Sequence, residues 1–232
     1  MRRGLFLCGT DTDVGKTAVA EAILRQLVRC GVSVGVCKPV ASGVTADGGD
    51  PYRLWEAAGR PGALEDVCPQ AFTAAVAPAR AAAAEGRTID EALLATAVEG
   101  WLSRSECVVV EGAGGLYSPL SPRLLNADLA RELGLPLVVC DDARLGAIGR
   151  TLAVVTAARS QGHHVAAVVL SEVHDPGPAT ADDPTSAAGI AVSGYQELAQ
   201  RLAPLSVARL RHRAERIEPV LDWMALASGR ES

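Results

Sequence analysis

A glycine-containing loop near the amino terminus constrains the fold of this chain more than any other segment. Residues 9–17 read GTDTDVGKT and lie between a short apolar run, 4–9, and an amphipathic run, 16–30. Backbone N–H groups at the start of a helix bind anionic oxygens, and glycine lets a ligand approach the backbone closely. The segment therefore predicts a strand, a phosphate-binding turn and a helix, as in a P-loop, although five residues instead of four separate Gly9 from Gly15.

The end of this loop carries the side chains that phosphate chemistry needs. Lys16 is placed to reach the outer phosphates of a nucleotide, and the Thr17 hydroxyl is placed to bind Mg²⁺. A simple glycine-containing turn between a strand and a helix is the alternative interpretation. The nucleotide-binding residues predicted in this loop are Asp13, Val14, Gly15, Lys16, Thr17 and Ala18.

Short apolar runs alternate with longer amphipathic runs along the chain. Several apolar runs lack polar alternation, which is typical of strands buried on both faces of a parallel sheet. The expected fold is therefore a single α/β domain over 1–232, with a doubly wound, mainly parallel sheet flanked by helices, of P-loop NTPase type. Residues 174–193, rich in Pro, Gly, Ser and Asp, predict a mobile surface loop. The predicted strands are 4–9, 33–38, 107–112, 136–140, 165–171 and 205–210, and the predicted helices are 16–30, 51–59, 90–103, 123–133, 146–161, 194–203 and 214–227.

Charge and composition exclude several classes of function. The net charge is −5 and the basic residues form no stripe, so we do not expect nucleic acid as a partner. No apolar run reaches the roughly 18 residues of a membrane span, and the first predicted strand leaves no room for a signal peptide. We therefore expect a cytoplasmic protein that does not contact a membrane. The six cysteines show no metal-ligand spacing, and most lie in apolar runs, which predicts reduced core thiols.

The two lysines are unusual because this chain uses arginine as its ordinary cation. Twenty arginines accompany only Lys16 and Lys38. Lys38 opens the segment KPVASG directly after a predicted strand, where open α/β sheets bind ligands, although an exposed strand cap is the alternative. An ammonium is a compact, rotatable charge, whereas a guanidinium is a planar fork. We therefore expect both lysines to be catalytic residues that stabilise moving charge, with Ser42 close to the substrate.

Two carboxylates are candidates for binding Mg²⁺. Glu111 ends the predicted strand CVVVEG, and a carboxylate at a strand end beside a P-loop is well placed to hold this ion. Asp50 precedes Pro51, so it is predicted to be a helix N-cap, a metal ligand, or both. Asp141 and Asp142 follow PLVVC and are expected in a solvated loop, with the ligand crevice as the alternative.

Four segments together resemble the dethiobiotin synthetase family of biotin biosynthesis. They are GTDTDVGKT, KPVASG, VEGAGG with SPLS (118–121), and RLGAIGRTL (144–152), and the resemblance extends from about residue 4 to 171. It implies an ATP-dependent cyclo-ligase that converts 7,8-diaminononanoate and CO₂ into dethiobiotin through a carbamate and a carbamic–phosphoric anhydride. It also implies a homodimer, Mg²⁺ as cofactor, and ATP as co-substrate.

The resemblance assigns roles to particular residues. It implies that Lys16 and Lys38 stabilise the transferring phosphoryl group. It implies that Thr17, Asp50 and Glu111 hold Mg²⁺. Leu145 and Gly146 are implied to reach the substrate across the dimer interface. The other implied nucleotide contacts are Gly112, Ala113, Gly114 and Ser171, and the other implied substrate contacts are Thr12, Lys38, Ser42 and Gly115.

Three positions depart from the family's pattern. Gly149-Arg150 replaces the usual Asn-His, and AAVAPAR (74–80) replaces a Pro-x-x-Pro-His pattern. Ser171 replaces an asparagine that reads adenine through a donor and an acceptor. A hydroxyl cannot make that paired contact, so we expect relaxed nucleotide choice among ATP, CTP and GTP.

Other classes of protein share parts of this pattern. A dimerising ATPase switch of the ParA/MinD kind has an additional lysine early in the loop, where this chain has Thr10 and Asp11. A cobyrinate-type amide synthase also carries a glutaminase domain, for which 232 residues leave no space. A catalytically inactive homologue is disfavoured by the retained lysines and carboxylates. Nucleotide hydrolysis that requires a diamine and bicarbonate distinguishes the ligase from the switch.

Overall fold

The predicted apolar runs form one mainly parallel sheet in the computed structural model, which describes residues 3–177 and 183–229. The sheet order is β2-β3-β1-β4-β5-β6-β7, and all neighbouring strands are parallel except β6 and β7. Every residue of the first, second, fourth and fifth strands is buried, so the predicted doubly covered sheet is confirmed. The strands are β1 (Gly4–Gly9), β2 (Val34–Cys37), β3 (Cys107–Gly115), β4 (Leu137–Asp142), β5 (Val165–Ser171), β6 (Ser206–Leu210) and β7 (Ile217–Glu218).

Helices connect most of the strands and cover the sheet. None of the helices in the described part of the chain has both the length and the apolar character needed to cross a bilayer. The described helices are α1 (Lys16–Arg29), α2 (Gly49–Ala57), α3 (Leu64–Val67), α4 (Pro78–Ala84), α5 (Glu91–Leu102), α6 (Asn126–Leu133), α7 (Ala147–Ser160), α8 (Ala187–Leu202) and α9 (Trp223–Leu226).

The sheet order places the glycine-containing loop at the centre of the carboxyl edge. β1 lies between β3 and β4, and the strands that follow it lie on both sides of it. In open α/β sheets, ligands bind beyond the carboxyl ends of the strands, at the point where the strand order reverses. The loop between β1 and α1 is at that point, and β3 continues beside it as far as Gly115.

The prediction of a loop over 174–193 is wrong at its carboxyl end. Residues 178–182 lie outside the described part, but helix α8 already begins at Ala187. Ser186 is its N-cap, and its side chain accepts a hydrogen bond from the backbone N–H of Gly189 at 3.0 Å. The small residues of this segment suggest a loop by composition, but Ala188 and Ala191 are buried and continue the helix.

The prediction of a helix over 214–227 is also wrong. Ile217 and Glu218 form the antiparallel strand β7 beside β6, and Ile217 is buried opposite Leu210. Pro219 has no backbone N–H and disfavours a helix that would run through it. Only the short α9 remains helical in this segment.

Candidate active site

The turn between β1 and α1 depends on two glycines whose backbone packs closely against neighbouring groups. Gly15 precedes α1 with φ of 85°, in the left-handed region that favours glycine. A Cβ atom at Gly15 would collide with the Ser171 side chain, and a Cβ atom at Gly9 would collide with the Asp11 carbonyl oxygen. The turn therefore brings the end of β5 directly against the first turn of α1.

Lys16 extends over this turn. Its side chain is largely buried, and Nζ donates a hydrogen bond to the carbonyl oxygen of Asp11 at 3.2 Å. An ammonium has three donors, and this contact uses one. Lys16 is thus oriented along the surface of the turn that was predicted to bind phosphate.

Lys38 lies between two carboxylates beyond the end of β2. Its Nζ is 2.5 Å from Asp50 Oδ2 and 2.7 Å from Glu111 Oε1. Burial favours the neutral amine, but the negative charges of Glu111 and Asp50 together outweigh this effect and raise the pKa of Lys38. Lys38 therefore carries a fixed positive charge.

The oxygen atoms around Lys38 fit a hard divalent cation. The Thr17 hydroxyl donates to Glu111 Oε1 at 3.0 Å. Glu111 is almost completely buried, and its Oε2 has no hydrogen-bond partner within residues 3–177 and 183–229. A buried carboxylate oxygen without a partner is unfavourable unless a cation or a donor reaches it. One or two carboxylates and a hydroxyl are enough for Mg²⁺, which keeps water and phosphate ligands, and the described residues contain no larger cluster of metal-binding side chains.

Asp50 contacts Lys38 and does not cap its helix. The N-cap of α2 is Gly48, and the N–H of the first helical residue, Gly49, donates to Asp47 Oδ1 at 3.3 Å, so the N-cap interpretation of Asp50 is wrong. Burial favours the protonated form of Asp50, but the Lys38 charge is decisive and lowers the pKa of this carboxyl group. The metal-ligand prediction for Asp50 remains a prediction.

Two cavities meet beside these groups. The first cavity, of about 620 Å³, is lined by Ser171–Val173, by the last residue of β6 and the segment after it (210–215), and by the polar residues Lys16, Thr17, Lys38, Asp50 and Glu111. The second cavity, of about 650 Å³, is lined by Val44, 75–78 and Pro119. The residues that line both cavities are Thr12, Asp13, Ala41, Ser42, Asp50 and Ala113.

Most of the predicted site residues line one of these cavities. Those in the first cavity are Thr12, Asp13, Gly15, Lys16, Thr17, Ala18, Lys38, Ser42, Asp50, Glu111, Ala113 and Ser171, and Gly114 lines the second. Those that line neither are Val14, Gly112, Gly115, Leu145 and Gly146. Val14 belongs to the core, whereas Leu145 is 81% exposed in the turn between β4 and α7.

Asn126 and Ser118 fix the glycine-rich end of β3. The Asn126 side-chain amide donates to the carbonyl oxygens of Ala113 and Gly115, at 2.7 and 2.8 Å. Ser118 Oγ accepts from the Gly115 N–H at 2.9 Å. A Cβ atom on Gly112 would lie 2.6 Å from Asn126 Oδ1, so this packing requires glycine there. These contacts hold the backbone that separates the two cavities.

Sequence reasoning missed a charged pair beside the metal-binding oxygens. Arg53 binds both carboxylate oxygens of Glu21 at 3.0 Å, and its Nη1 lies 3.9 Å from Asp50 Oδ1. Glu21 follows Thr17 by four residues, and Arg53 follows Asp50 by three, so helical spacing was the available signal. The other first-cavity residues outside the predicted site set are Arg25, Ala41, Glu172, Val173, Leu210, Arg211, His212, Arg213, Ala214 and Glu215.

The expectation of a solvated loop for Asp141 and Asp142 is wrong. Both belong to β4, where Asp141 is completely buried and Asp142 is nearly so. Thr10 donates to Asp141 Oδ1 at 2.6 Å, and Arg150 lies 3.1 Å from the same oxygen. A buried carboxylate is retained because these donors satisfy it.

The comparisons with known proteins agree with this architecture. A family model described as an AAA domain matches residues 3–211. The chain is 45% identical to the ATP-dependent dethiobiotin synthetase BioD of Anaeromyxobacter dehalogenans strain 2CP-C, over 79% of this chain and 80% of that protein. It is 39% identical to the ATP-dependent dethiobiotin synthetase BioD of Rhodopirellula baltica, over 73% of each chain.

Solved structures show the same fold at low sequence identity. The signal recognition particle receptor FtsY of Elizabethkingia anophelis superposes with a TM-score of 0.53 at 14% identity, and its complex with GDP with a TM-score of 0.57 at 15% identity. The alignments cover 99% of this chain but only 65% and 63% of those chains. At these identities the likeness concerns the fold alone.

Proposed function

Because this chain belongs to the family of ATP-dependent dethiobiotin synthetases, we propose that it closes a ureido ring on a diamine at the expense of a nucleoside triphosphate. The diamine is 7,8-diaminononanoate, and one amine takes up CO₂ as a carbamate. A carbamate oxygen attacks the γ-phosphorus of ATP and displaces ADP. The second amine attacks the carbonyl carbon of the carbamic–phosphoric anhydride, releasing phosphate and a proton as the ring closes.

The position of Lys38 carries this proposal. Lys38 lines the first cavity close to Asp50, which is shared with the second, so its charge lies near the place where two bound substrates would meet. During phosphoryl transfer, negative charge moves from the terminal phosphate to the acceptor oxygen. Fixed positive groups stabilise that charge best when they are already in place, and Lys38 is held by two carboxylates.

In this proposal the nucleotide occupies the first cavity with its phosphates at Lys16 and Thr17. We call the region of Lys16, Thr17, Lys38, Asp50 and Glu111 the phosphate end. The region of Ser171–Val173 and residues 210–214 is then the base end. Thr17, Asp50 and Glu111 would hold Mg²⁺, which neutralises phosphate charge when it is bound. The buried Oε2 of Glu111, which no group in the described part of the chain contacts by a hydrogen bond, supports this assignment.

The second cavity suits a long aliphatic diamine. Val44, Val76 and Pro119 give it an apolar wall, and Thr12, Ser42 and Ser118 give it polar atoms near the first cavity. None of the described residues that line it is lysine, arginine or histidine. Hydroxyl and backbone N–H groups would therefore bind the distal carboxylate, and in this proposal Leu145 and Gly146 of a second copy add backbone N–H groups to them.

A single assay tests the proposed reaction. The protein is incubated with 7,8-diaminononanoate, bicarbonate, Mg²⁺ and each nucleoside triphosphate, and dethiobiotin is measured by mass spectrometry. We expect dethiobiotin and one equivalent of phosphate, and no nucleotide hydrolysis above background when the diamine or bicarbonate is omitted. Steady hydrolysis without diamine would favour a dimerising ATPase switch instead.

The homodimer has its own test. Leu145 is 81% exposed, and an aspartate there should disrupt an apolar interface. We expect light scattering to report a dimer for the wild type and mainly a monomer with little activity for Leu145→Asp. Val220→Asp, which changes another exposed apolar side chain (73%), is the matched control and should remain a dimer. A fully active wild-type monomer would contradict the proposal.

A further inference from the structure

The buried carboxylate of Asp141 organises a network to which the proposed reaction assigns no role. Its Oδ1 accepts hydrogen bonds from the Thr10 hydroxyl at 2.6 Å and from the Asp142 N–H at 2.8 Å. Its Oδ2 accepts from the Thr151 hydroxyl at 3.1 Å. Thr10 lies in the phosphate-binding turn after β1, and Thr151 lies in the first turns of α7. Asp141 therefore connects the phosphate-binding turn to the start of α7.

The guanidinium of Arg150 completes this network. Its Nε and Nη2 lie 3.2 and 3.1 Å from Asp141 Oδ1. Nη2 also donates to the Asp142 carbonyl oxygen at 3.3 Å, and Nη1 donates to the Leu145 carbonyl oxygen at 3.4 Å. A Cβ atom on Gly146 would lie 3.0 Å from Nη1, so the guanidinium packs directly over the residue that precedes α7. One side chain thus contacts both ends of the β4–α7 loop.

We propose that Arg150 is a positioning residue that, through Asp141 and Thr10, holds the β4–α7 loop in a fixed position relative to the phosphate-binding turn. The inference rests on the proposed function, in which Leu145 and Gly146 contact the diamine substrate bound by the second copy of the chain. A loop that is ordered before binding loses less conformational entropy when the substrate arrives. The clamp formed by Thr10, Asp141 and Arg150 therefore favours diamine binding without touching the diamine.

The residue type at position 150 fits this role. Arginine offers five N–H donors in a planar fork, which here serve one carboxylate and two carbonyl oxygens. A histidine has two ring nitrogens and cannot serve three acceptors at once. Arg150, where the family pattern has histidine, thus matches the buried carboxylate at position 141, and nothing in the structure explains Gly149.

The test combines kinetics with hydrogen exchange on the full-length protein. Arg150→Ala removes the clamp, and Arg150→Lys keeps the charge but not the fork. Arg159→Ala, in the exposed last turn of the same helix, is the matched control. We expect Arg150→Ala to raise KM for the diamine about tenfold, to change KM for ATP less than about twofold, and to accelerate amide exchange over residues 143–147. The lysine variant should recover part of both effects.

A double variant keeps the proposal testable if Arg150→Ala does not fold. Asp141→Asn combined with Arg150→Gln removes both charges together, so no buried carboxylate lacks its counter-charge. This variant should show the same rise in diamine KM and the same faster loop exchange. The proposal is overturned if the folded variants match Arg159→Ala in both measurements, or if both KM values rise equally. If the wild type makes no dethiobiotin, the proposed function fails, while loop exchange still decides whether the clamp exists.

Discussion

The phosphate end and the base end of the first cavity are built in opposite ways. At the phosphate end, Lys38 and Glu111 are buried, and each is held by the other at 2.7 Å. At the base end, Ser171 presents one short hydroxyl, and Arg211 and Arg213 are exposed. The buried charged groups assigned to charge transfer therefore fix one another, whereas at the base end one short hydroxyl lies beside exposed arginines.

We expect Glu172 to contribute little to recognition of the nucleotide base. Its Oε2 accepts a hydrogen bond from the His212 backbone N–H at 3.2 Å, and its carbonyl oxygen lies 3.3 Å from His212 Nδ1. This carboxylate is therefore partly occupied by the loop that follows β6. We expect it to hold that loop more than to select among bases.

The largest effect should come from exchanging the cation at the phosphate end. Lys38→Arg keeps the charge, but a planar guanidinium cannot replace a compact ammonium between Asp50 and Glu111. We expect kcat to fall by about 10²–10³, with nucleotide binding and the folded structure retained. Steady-state rates measure kcat, a nucleotide titration measures binding, and a melting curve checks that the variant is folded. Arg201→Lys, on the exposed surface of α8, is the control, and wild-type turnover in Lys38→Arg would contradict the catalytic role.

The next largest effect should be on the Mg²⁺ requirement, where we expect the two carboxylates of the phosphate end to differ. Glu111 is buried, and one of its oxygens has no hydrogen-bond partner among the described residues, whereas the Asp50 side chain is 43% exposed and contacts Lys38. We expect Glu111→Gln to raise the Mg²⁺ concentration for half-maximal activity by about 10–100-fold, and Asp50→Asn to raise it less. A Mg²⁺ titration of both variants is the measurement. An unchanged requirement in Glu111→Gln would remove this residue from the metal site.

A smaller effect is expected at the base end. ATP, CTP and GTP should support turnover with kcat/KM values within about tenfold, a spread of about 1.4 kcal/mol. Ser171→Asn restores a paired donor and acceptor and should increase the preference for ATP by about the same factor. Ser193→Asn on the exposed surface of α8 is the control. A wild-type preference for ATP above a hundredfold would show that other groups read the base.

The smallest effect concerns the pH dependence of stability. The Lys38 charge lowers the pKa of Asp50 despite partial burial, so its stabilising charge is present above the unfolded pKa and is lost as pH falls through the lower folded pKa. Because the side chain is 43% exposed, Asp50→Asn should lower the free energy of unfolding at pH 7 by about 1 kcal/mol or less. Urea unfolding from pH 7 to pH 3 should show this difference shrinking below about pH 4. A difference that grows towards acid would reverse the assigned sign.

Local patterns in the sequence were enough to predict several parts of this protein. The loop GTDTDVGKT predicted the turn between β1 and α1, and unbroken apolar runs predicted buried parallel strands. The position of Lys38 after a strand predicted a side chain in the cavity at the carboxyl edge of the sheet. These inferences succeed because strand burial, helix periodicity and glycine-rich turns depend on residues that are close along the chain.

Which groups distant along the chain come into contact depends on the packing of the whole fold. Asp141 follows a strand in a way that suggests a solvated loop, yet contacts from Thr10 and Arg150 make it a buried carboxylate. The small residues before 194 suggest a loop, yet packing makes them the start of α8. Hydrogen bonds and burial between residues many positions apart have no local signature. A charged or small side chain therefore acquires its role only when the fold supplies its partners.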